Sequence, residues 1–178
     1  MKPAIKYGII TGCIIGLFAM TFFSIFDWIN TKLGWGMRPS GIRGIAGLLT
    51  ILILTIGIYI GLRAVKNNRS NSFSYWQAVR AGVIIAVITA AITSICSFLY
   101  CTVINPDYTN YMVQAAEREM IEAGEAKTQI TAQLVEVRKN FSTPAQVGMA
   151  FVGQLVMGLA ISFILSALIQ KQKEKLIS

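Results

Sequence analysis

Four long apolar runs, each about as long as a membrane-crossing helix, constrain this chain more than any other feature. A helix needs roughly 20 apolar residues to cross about 30 Å of hydrocarbon. The runs cover about residues 7–29, 44–62, 79–104 and 145–169, and Pro144 stands where proline fits the first turn of a helix. The sequence therefore predicts an all-α integral membrane protein, a four-helix bundle that forms a single membrane domain over residues 1–178.

The composition agrees with a membrane protein and excludes an ordinary soluble one. Of the 178 residues, 54% are hydrophobic and only 13% are charged, against roughly 25% charged in a typical soluble domain. The net charge of +8 would suggest nucleic acid binding in a soluble protein. In a membrane protein the same charge is explained by topology, so we expect no nucleic acid partner.

Basic residues are distributed unevenly between the two predicted sides of the membrane. One side, made of the N-terminus, the second connection and the C-terminal tail, has nine bases and Glu174 as its only acid. The third connection, residues 105–143, has six acids and four bases. The positive-inside rule therefore predicts cytoplasmic termini and a periplasmic 105–143 segment. Lys32, Arg38 and Arg43 of the first connection do not fit this pattern.

The third connection has the spacing of two amphipathic helices. Asn105-Pro106 ends the third span, because proline lacks an amide donor and disfavours helix in the residue before it. Apolar residues then recur at three- and four-residue steps up to Gly124, a residue that suits a helix C-terminus. A second helix over about 126–140 is predicted from Ile130, Leu134, Val137 and Phe141.

These two helices predict an extramembrane hairpin over about residues 107–141, between the third and fourth spans. Helices that lie on a bilayer surface usually carry Lys and Arg, whereas this segment is acidic overall. A hairpin docked on the mouth of the bundle is therefore favoured. The hairpin is either a simple cap or a ligand-binding domain.

Aromatic residues cluster near the ends of the predicted spans. Trp28, Trp35, Tyr100 and Tyr108 fall near the outer ends. Such rings favour the headgroup level of a bilayer, which predicts an aromatic belt. Packing of the same rings between helices is the alternative.

The chain resembles a family of uncharacterised bacterial membrane proteins, domain of unknown function 4199. The resemblance lies in the glycine-rich first span, the Ser72–Ala78 entry to the third span and the Ile104–Tyr108 segment. It continues through the helix ending at Gly124 and the last span near Pro144. It implies a small four-span inner-membrane protein of a bacterium, with no assigned activity, cofactor or functional residue.

Small residues recur at four-residue spacing in several spans. Gly8, Gly12 and Gly16 repeat in the first span, and Gly57 and Gly61 in the second. Such spacing lets two helix backbones approach closely in a medium that gives no hydrophobic driving force. The partner of the first-span glycines is either another span or a second copy in a homo-oligomer.

A few polar residues inside the spans are candidate functional residues. Asp27 lies about one turn from the outer end of the first span, and is either a proton-coupled group with Arg38 or Arg43 as its partner or a solvated carboxylate. Arg80 lies near the inner end of the third span, where it anchors to headgroups or gates a path. The remaining candidates line a solute path or form hydrogen bonds between helices, and they are Thr89, Thr93, Ser97 and Gln154.

The residue types present exclude several chemistries. The chain has no histidine, so imidazole catalysis and histidine–zinc sites are excluded. Its cysteines, Cys13, Cys96 and Cys101, form no CxxC pair, and Cys13 and Cys96 are predicted toward opposite leaflets. We expect no catalytic residue, no metal and no cofactor.

Two functional hypotheses follow. The first is a non-enzymatic interaction or assembly protein that contacts membrane lipids and recognises a protein partner through the 107–141 hairpin. The alternative is a small transporter or channel subunit in which Asp27 and the polar face of the third span line a path.

Overall fold

The computed structural model describes residues 2–33, 39–68 and 74–174, and these residues are all-helical without strands. The helices are α1 (Lys2–Leu33), α2 (Pro39–Asn67), α3 (Tyr75–Leu99), α4 (Tyr108–Glu122), α5 (Lys127–Asn140) and α6 (Thr143–Glu174). Four of them, α1, α2, α3 and α6, are long and apolar enough to cross a membrane. The predicted all-α class with four spans and a hairpin between the last two is confirmed.

The spanning helices are longer than the apolar runs that predicted them. α1 begins at Lys2, and α6 begins at Thr143 and ends at Glu174. Polar residues at helix ends continue the backbone hydrogen bonding beyond the hydrocarbon region. The hydropathy pattern therefore marks the membrane-embedded part of each helix and not its ends.

Consecutive spans run in opposite directions, so α1 and α3 are parallel and α2 and α6 run against them. α1 packs on α2 and α3, and α3 also packs on α6. α1 and α6 lie at opposite corners, and α2 touches α6 much less than α3 does. The bundle is consequently most open along the side between α2 and α6.

The first-span glycines lie against α3. A Cβ atom built on Gly8 would lie 3.0 Å from Cβ of Ile88, and one built on Gly12 would lie 2.9 Å from Cβ of Ile92. Gly16 packs in the same way on Cys96. These separations are too short for a larger residue, so the glycines permit the close approach of α1 and α3.

Small residues also allow the other helix pairs to approach closely. A Cβ atom on Gly57 would meet Thr11, and one on Gly158 would lie 2.7 Å from Cβ of Ala86. A Cβ atom on Gly82 of α3 would lie 2.6 Å from Cβ of Ser162 on α6. Each of these contacts lies inside one chain.

The third span ends in a feature that the sequence did not indicate. Its last residues, Tyr100–Ile104, widen into a π-helix before Asn105 and Pro106 end the helical backbone. A π-helical turn rotates the following residues relative to an α-helix. Two side chains of this turn, Tyr100 and Cys101, are buried.

The hairpin turn between α4 and α5 follows the sequence prediction. Gly124 has φ of 76°, the left-handed region that favours glycine. Its amide donates to the carbonyl of Ile121, and the amide of Glu125 donates to that of Met120. This pair of bonds is a Schellman motif, which satisfies the last carbonyls of α4.

Two predictions about side-chain placement are wrong. Cys13 and Cys96 do not lie toward opposite leaflets, because α1 and α3 are parallel and Gly12 and Gly16 sit beside Ile92 and Cys96. Tyr100 and Tyr108 do not belong to an aromatic belt, since both rings are buried and contact each other. Trp28 is 61% exposed, as a headgroup-level ring would be, and Trp35 lies outside the described residues.

Candidate functional site

Arg43, near the start of α2, contacts three elements at the end of the bundle that carries the hairpin. Its guanidinium donates to the hydroxyl of Tyr108 on α4 and to Oε1 of Gln146 on α6, the latter at 3.3 Å. Its Cζ lies 4.3 Å from the ring centroid of Phe141 and 5.6 Å from that of Tyr108. Arg43 thus links α2 to both ends of the hairpin and to the last span.

The rings around Arg43 form a chain of edge contacts. The Tyr100 and Tyr108 centroids are 5.7 Å apart with planes at 77°, and those of Tyr108 and Phe141 are 6.5 Å apart at 72°. Phe23 of α1 lies 6.2 Å from Tyr100. Tilted and edge-on pairs of this kind are favourable, so the rings hold the first residue of α4 against the bundle.

Local hydrogen bonds position the two ends of the hairpin. The amide of Tyr108 donates to the carbonyl of Asn105, which begins α4 immediately after the proline turn. The hydroxyl of Thr109 donates to the carbonyl of Phe141 at 2.9 Å, and Nε2 of Gln146 donates to the carbonyl of Asn140 at 2.9 Å. The hairpin is therefore docked on the mouth of the bundle.

A cavity of about 630 Å³ extends from this cluster into the bundle. All four spans line it, over residues 15–23 of α1, 43–54 of α2, 93–101 of α3 and its π-helical end, and 146–157 of α6. Its walls are mostly apolar, with Phe18, Leu54 and Met157 among them. The volume lies within the roughly 300–1,000 Å³ that small-molecule sites occupy.

The predicted polar residues divide into two groups. Thr93, Ser97 and Gln154 line the cavity. Thr89 lies outside its lining: the hydroxyl is fully buried and donates to the carbonyl of Gly8 at 3.2 Å. The structure therefore brings three of these candidates to one surface and gives Thr89 a bond between helices.

Thr93 and Gln154 differ in whether their polar atoms form hydrogen bonds. The hydroxyl of Thr93 donates to the carbonyls of Thr89 and Ala90 in its own helix, at 3.0 and 3.1 Å. Nε2 of Gln154 is buried and has no hydrogen-bond partner. An amide donor without an acceptor in an apolar surrounding is costly, so Gln154 stands out within the cavity.

The ionisable candidates lie apart from each other in the fold. Arg80 is exposed in the first turns of α3, at the end of the bundle opposite to the hairpin. The backbone of Asp27 belongs to α1, near the hairpin end, and its side chain lies outside the described part of the structure.

Sequence reasoning missed the residues at the mouth of the cavity. Arg43 was noticed as a base that did not fit the charge pattern and as a candidate partner of Asp27, and Tyr108 as a belt residue. Phe141 was noticed only as part of the apolar face of the second hairpin helix, and Gln146 carried no signal, since their roles depend on packing between distant segments. The misplaced charge of Arg43 was the one signal that could have indicated the site.

The arrangement offers hydrogen-bond donors to a ligand. Among the side chains that the structure describes, which do not include those of Asp27 and Glu174, no group of three or more Cys, Asp or Glu is placed to hold a metal ion. The described cysteines are free thiols. Chemically, the site can bind a molecule that has an acidic or oxygen-containing group and an apolar body.

The chain belongs to the family described as proteins of unknown function, DUF4199, which it matches over residues 6–171. This match covers both the spans and the hairpin, and it confirms the resemblance found in the sequence. No curated protein and no solved structure matches the chain.

Proposed function

We propose that this member of the family is a non-enzymatic interaction or assembly protein whose recognition surface is the α4–α5 hairpin. The observation that carries the proposal is the attachment of the hairpin to the bundle through Arg43, Tyr108 and Phe141. A surface that is already held in one orientation loses little conformational entropy when it binds a partner.

The outward side of the hairpin has the mixed character of a recognition surface. α4 buries Tyr108, Met112 and Val113. Its charged residues Glu117 and Arg118 are exposed. Two apolar side chains are exposed as well, Ile121 at 59% and Val135 on α5 at 68%. Charges of both signs next to apolar groups favour a protein partner over a simple lipid surface.

A non-enzymatic role is supported by how two buried serine hydroxyls are used. Those of Ser94 and Ser162 donate to main-chain carbonyls four residues earlier, at 2.8 and 2.6 Å. A serine or threonine nucleophile needs a base within hydrogen-bond reach of its hydroxyl. Bonds to backbone carbonyls instead serve helix packing.

We place the protein in the inner membrane of a bacterium, with both termini in the cytoplasm and residues 105–143 in the periplasm. The distribution of basic residues supports this orientation. A phosphatase fused after Gly124 tests it, since the enzyme folds only in the periplasm. Activity there, and none for a fusion after Asn67, is expected, and the reverse pattern would contradict the orientation.

Photo-crosslinking in intact cells tests the hairpin as a recognition surface. A photoreactive amino acid replaces Ile121 or Val135 on the hairpin, and Ile56 on an exposed face of α2 serves as the control. We expect a discrete protein adduct from the hairpin positions and only lipid adducts from position 56. Absence of any protein adduct at both hairpin positions would refute the proposal.

A second copy of the chain is a further proposed partner. The Gly8–Gly16 face is covered by α3, so a dimer contact would use another surface. Native mass spectrometry of the gently extracted protein measures copy number and retained lipid together.

A small transporter or channel subunit is the second candidate, because Thr93, Ser97 and Gln154 line one cavity. If they belong to a solute path, Thr93→Val and Asp27→Asn should abolish flux in reconstituted vesicles. Thr89→Val is the matched control, since Thr89 lies outside the cavity lining. Unaltered flux in the first two variants would exclude this function.

A further inference from the structure

The cavity has its polar groups at two levels that are separated along α6. Gln146 lies at the mouth, hydrogen-bonded to Arg43, and Gln154 lies eight residues further into the membrane. At 1.5 Å of rise per residue, the two levels are ~12 Å apart. Apolar side chains fill the wall between and around them, including Ile51, Met149 and Met157. An elongated apolar molecule with a polar end fits this distribution.

The charge at the mouth has no acid beside it among the described residues of the cavity lining. Arg43 is half-buried, and its described partners are a phenol, an amide and two ring faces. No carboxylate occurs among the described residues that line the cavity. A partly buried guanidinium favours an anionic partner, and its planar fork matches a carboxylate.

The buried Nε2 of Gln154 is a second, independent sign of a ligand. This amide donor has no hydrogen-bond partner, and the residue lines the cavity. Buried polar groups are nearly always hydrogen-bonded. Of the two described buried side-chain atoms without a partner, Nε2 of Gln154 and Oγ of Ser166, only the first belongs to a residue that lines the cavity. Nε2 has almost no accessible surface, so it reaches a ligand oxygen when the Gln154 side chain turns toward the cavity.

The cavity is least enclosed between α2 and α6. Gly47 of α2 and Gly153 of α6 both line it and are exposed. A Cβ atom built on either glycine would meet nothing within 4 Å. These two helices also touch each other less than the other neighbouring spans do. We infer that a lipid-soluble molecule enters on this side, since the docked hairpin covers the end of the bundle.

From these observations we propose that the cavity binds an acidic single-chain lipid, with its carboxylate on Arg43 and an oxygen of its chain accepting a hydrogen bond from Gln154. A hydroxylated long-chain fatty acid has this chemistry. The acyl chains of an ordinary phospholipid carry no oxygen at the level of Gln154, which favours the hydroxylated acid. Binding in the cavity does not depend on recognition of a partner by the hairpin.

Equilibrium binding of radiolabelled 12-hydroxystearate to the whole protein in phosphatidylcholine nanodiscs tests the proposal. Stearate lacks the chain hydroxyl, and methyl 12-hydroxystearate lacks the acid. We expect the methyl ester to bind on the order of tenfold more weakly, as for loss of a hydrogen bond to a charged group. Stearate should bind about threefold more weakly, as for loss of a neutral hydrogen bond.

Substitutions at Arg43 and Gln154 test which residue binds the carboxylate and which binds the chain hydroxyl. Arg43→Gln should remove the preference for the acid over its methyl ester, and Gln154→Leu should remove the preference for the hydroxylated chain. Retention of both preferences in these variants would overturn the assignment.

Filling the cavity provides a test that does not disturb Arg43. Gly153 lines the cavity and a Cβ atom built on it would meet nothing within 4 Å, so we expect Gly153→Leu to occupy cavity space while the bundle folds normally. Gly148→Leu is the matched control, because Gly148 is also open and exposed on α6 but does not line the cavity. We expect binding to be lost in the first variant and kept in the second.

Three outcomes would overturn the proposal. Equal binding by both leucine variants would show that the fatty acid only partitions into the lipid. Equal affinity for the three probes would show that neither the carboxylate nor the chain hydroxyl is bound by the protein. Full displacement of 12-hydroxystearate by phosphatidylglycerol would assign the cavity to a two-chain phospholipid instead.

Discussion

The guanidinium of Arg43 lies 4.3 Å from the ring centroid of Phe141, and this contact joins the start of α2 to the residue that follows α5. The same guanidinium reaches Gln146 in the first turns of α6. The position of the hairpin is thus fixed by a side chain from the membrane bundle and not only by the chain connections.

Replacing Phe141 by alanine should loosen the hairpin while leaving the spans folded. A cation–π contact contributes about 0.5–2 kcal/mol, and the substitution also removes the edge contact with Tyr108. Hydrogen exchange in α4 and α5 is therefore expected to accelerate, with no change in α1 or α3. Val135→Ala is the control, since Val135 is 68% exposed. Equal exchange in the two variants would show that Phe141 does not anchor the hairpin.

The sequence predicted the helices well because each depends on a pattern within one segment. Apolar runs marked the spans, and Gly124 marked the end of α4. The mouth of the cavity could not be predicted in this way. Arg43, Phe141 and Gln146 come from different elements, and their association follows from how the spans and hairpin pack.

The burial of Tyr100 illustrates the same limit. Its position near the outer end of the third span suggests an aromatic belt, but its ring is buried and contacts Tyr108 of α4. That contact depends on how the hairpin docks, which the third span alone does not indicate. The cavity itself is a space between four helices, and single-segment patterns carry no information about it.

The substitution Gly12→Ala should destabilise the bundle. The new Cβ would lie 2.9 Å from Cβ of Ile92, so α1 and α3 must separate, and overpacking of this kind costs roughly 1–3 kcal/mol. Gly44→Ala is the matched control, since its Cβ would meet nothing within 4 Å. The control should be neutral or stabilised by up to about 1 kcal/mol through helix propensity.

Unfolding in mixed micelles measures this difference. A lower free energy of unfolding is expected for the alanine at position 12 than for the one at position 44. If both variants are equally stable, the close packing of α1 on α3 does not require glycine at position 12.

The two buried threonines of α3 should respond differently to valine, which has nearly the same shape. Thr89 donates to Gly8 of α1, and a hydrogen bond between membrane helices contributes about 0.6 kcal/mol on average. Thr93 bonds only to carbonyls of its own helix. Thr89→Val should therefore lower the free energy of unfolding by more than Thr93→Val, and the opposite order would contradict the assigned bonds.

The reactivity of Cys96 distinguishes a lipid-filled cavity from a water-filled path. Cys96 lines the cavity, whereas Cys13 is exposed on the outer side of α1. A charged thiol reagent reaches a cysteine only through water, because it does not enter hydrocarbon. In single-cysteine variants in nanodiscs that contain 12-hydroxystearate, we expect the charged reagent to modify neither residue, since the bound fatty acid would keep water from Cys96. Glu122→Cys, in the exposed part of the hairpin, is the positive control.

An uncharged maleimide is expected to modify Cys96, and 12-hydroxystearate should slow that reaction while leaving the reaction at Cys13 unchanged. Rapid modification of Cys96 by the charged reagent would contradict the lipid site. It would show that water reaches the level of Thr93 and Ser97, as a solute path requires. The reactivity of the Cys96 thiol therefore distinguishes the proposed lipid site from a solute path.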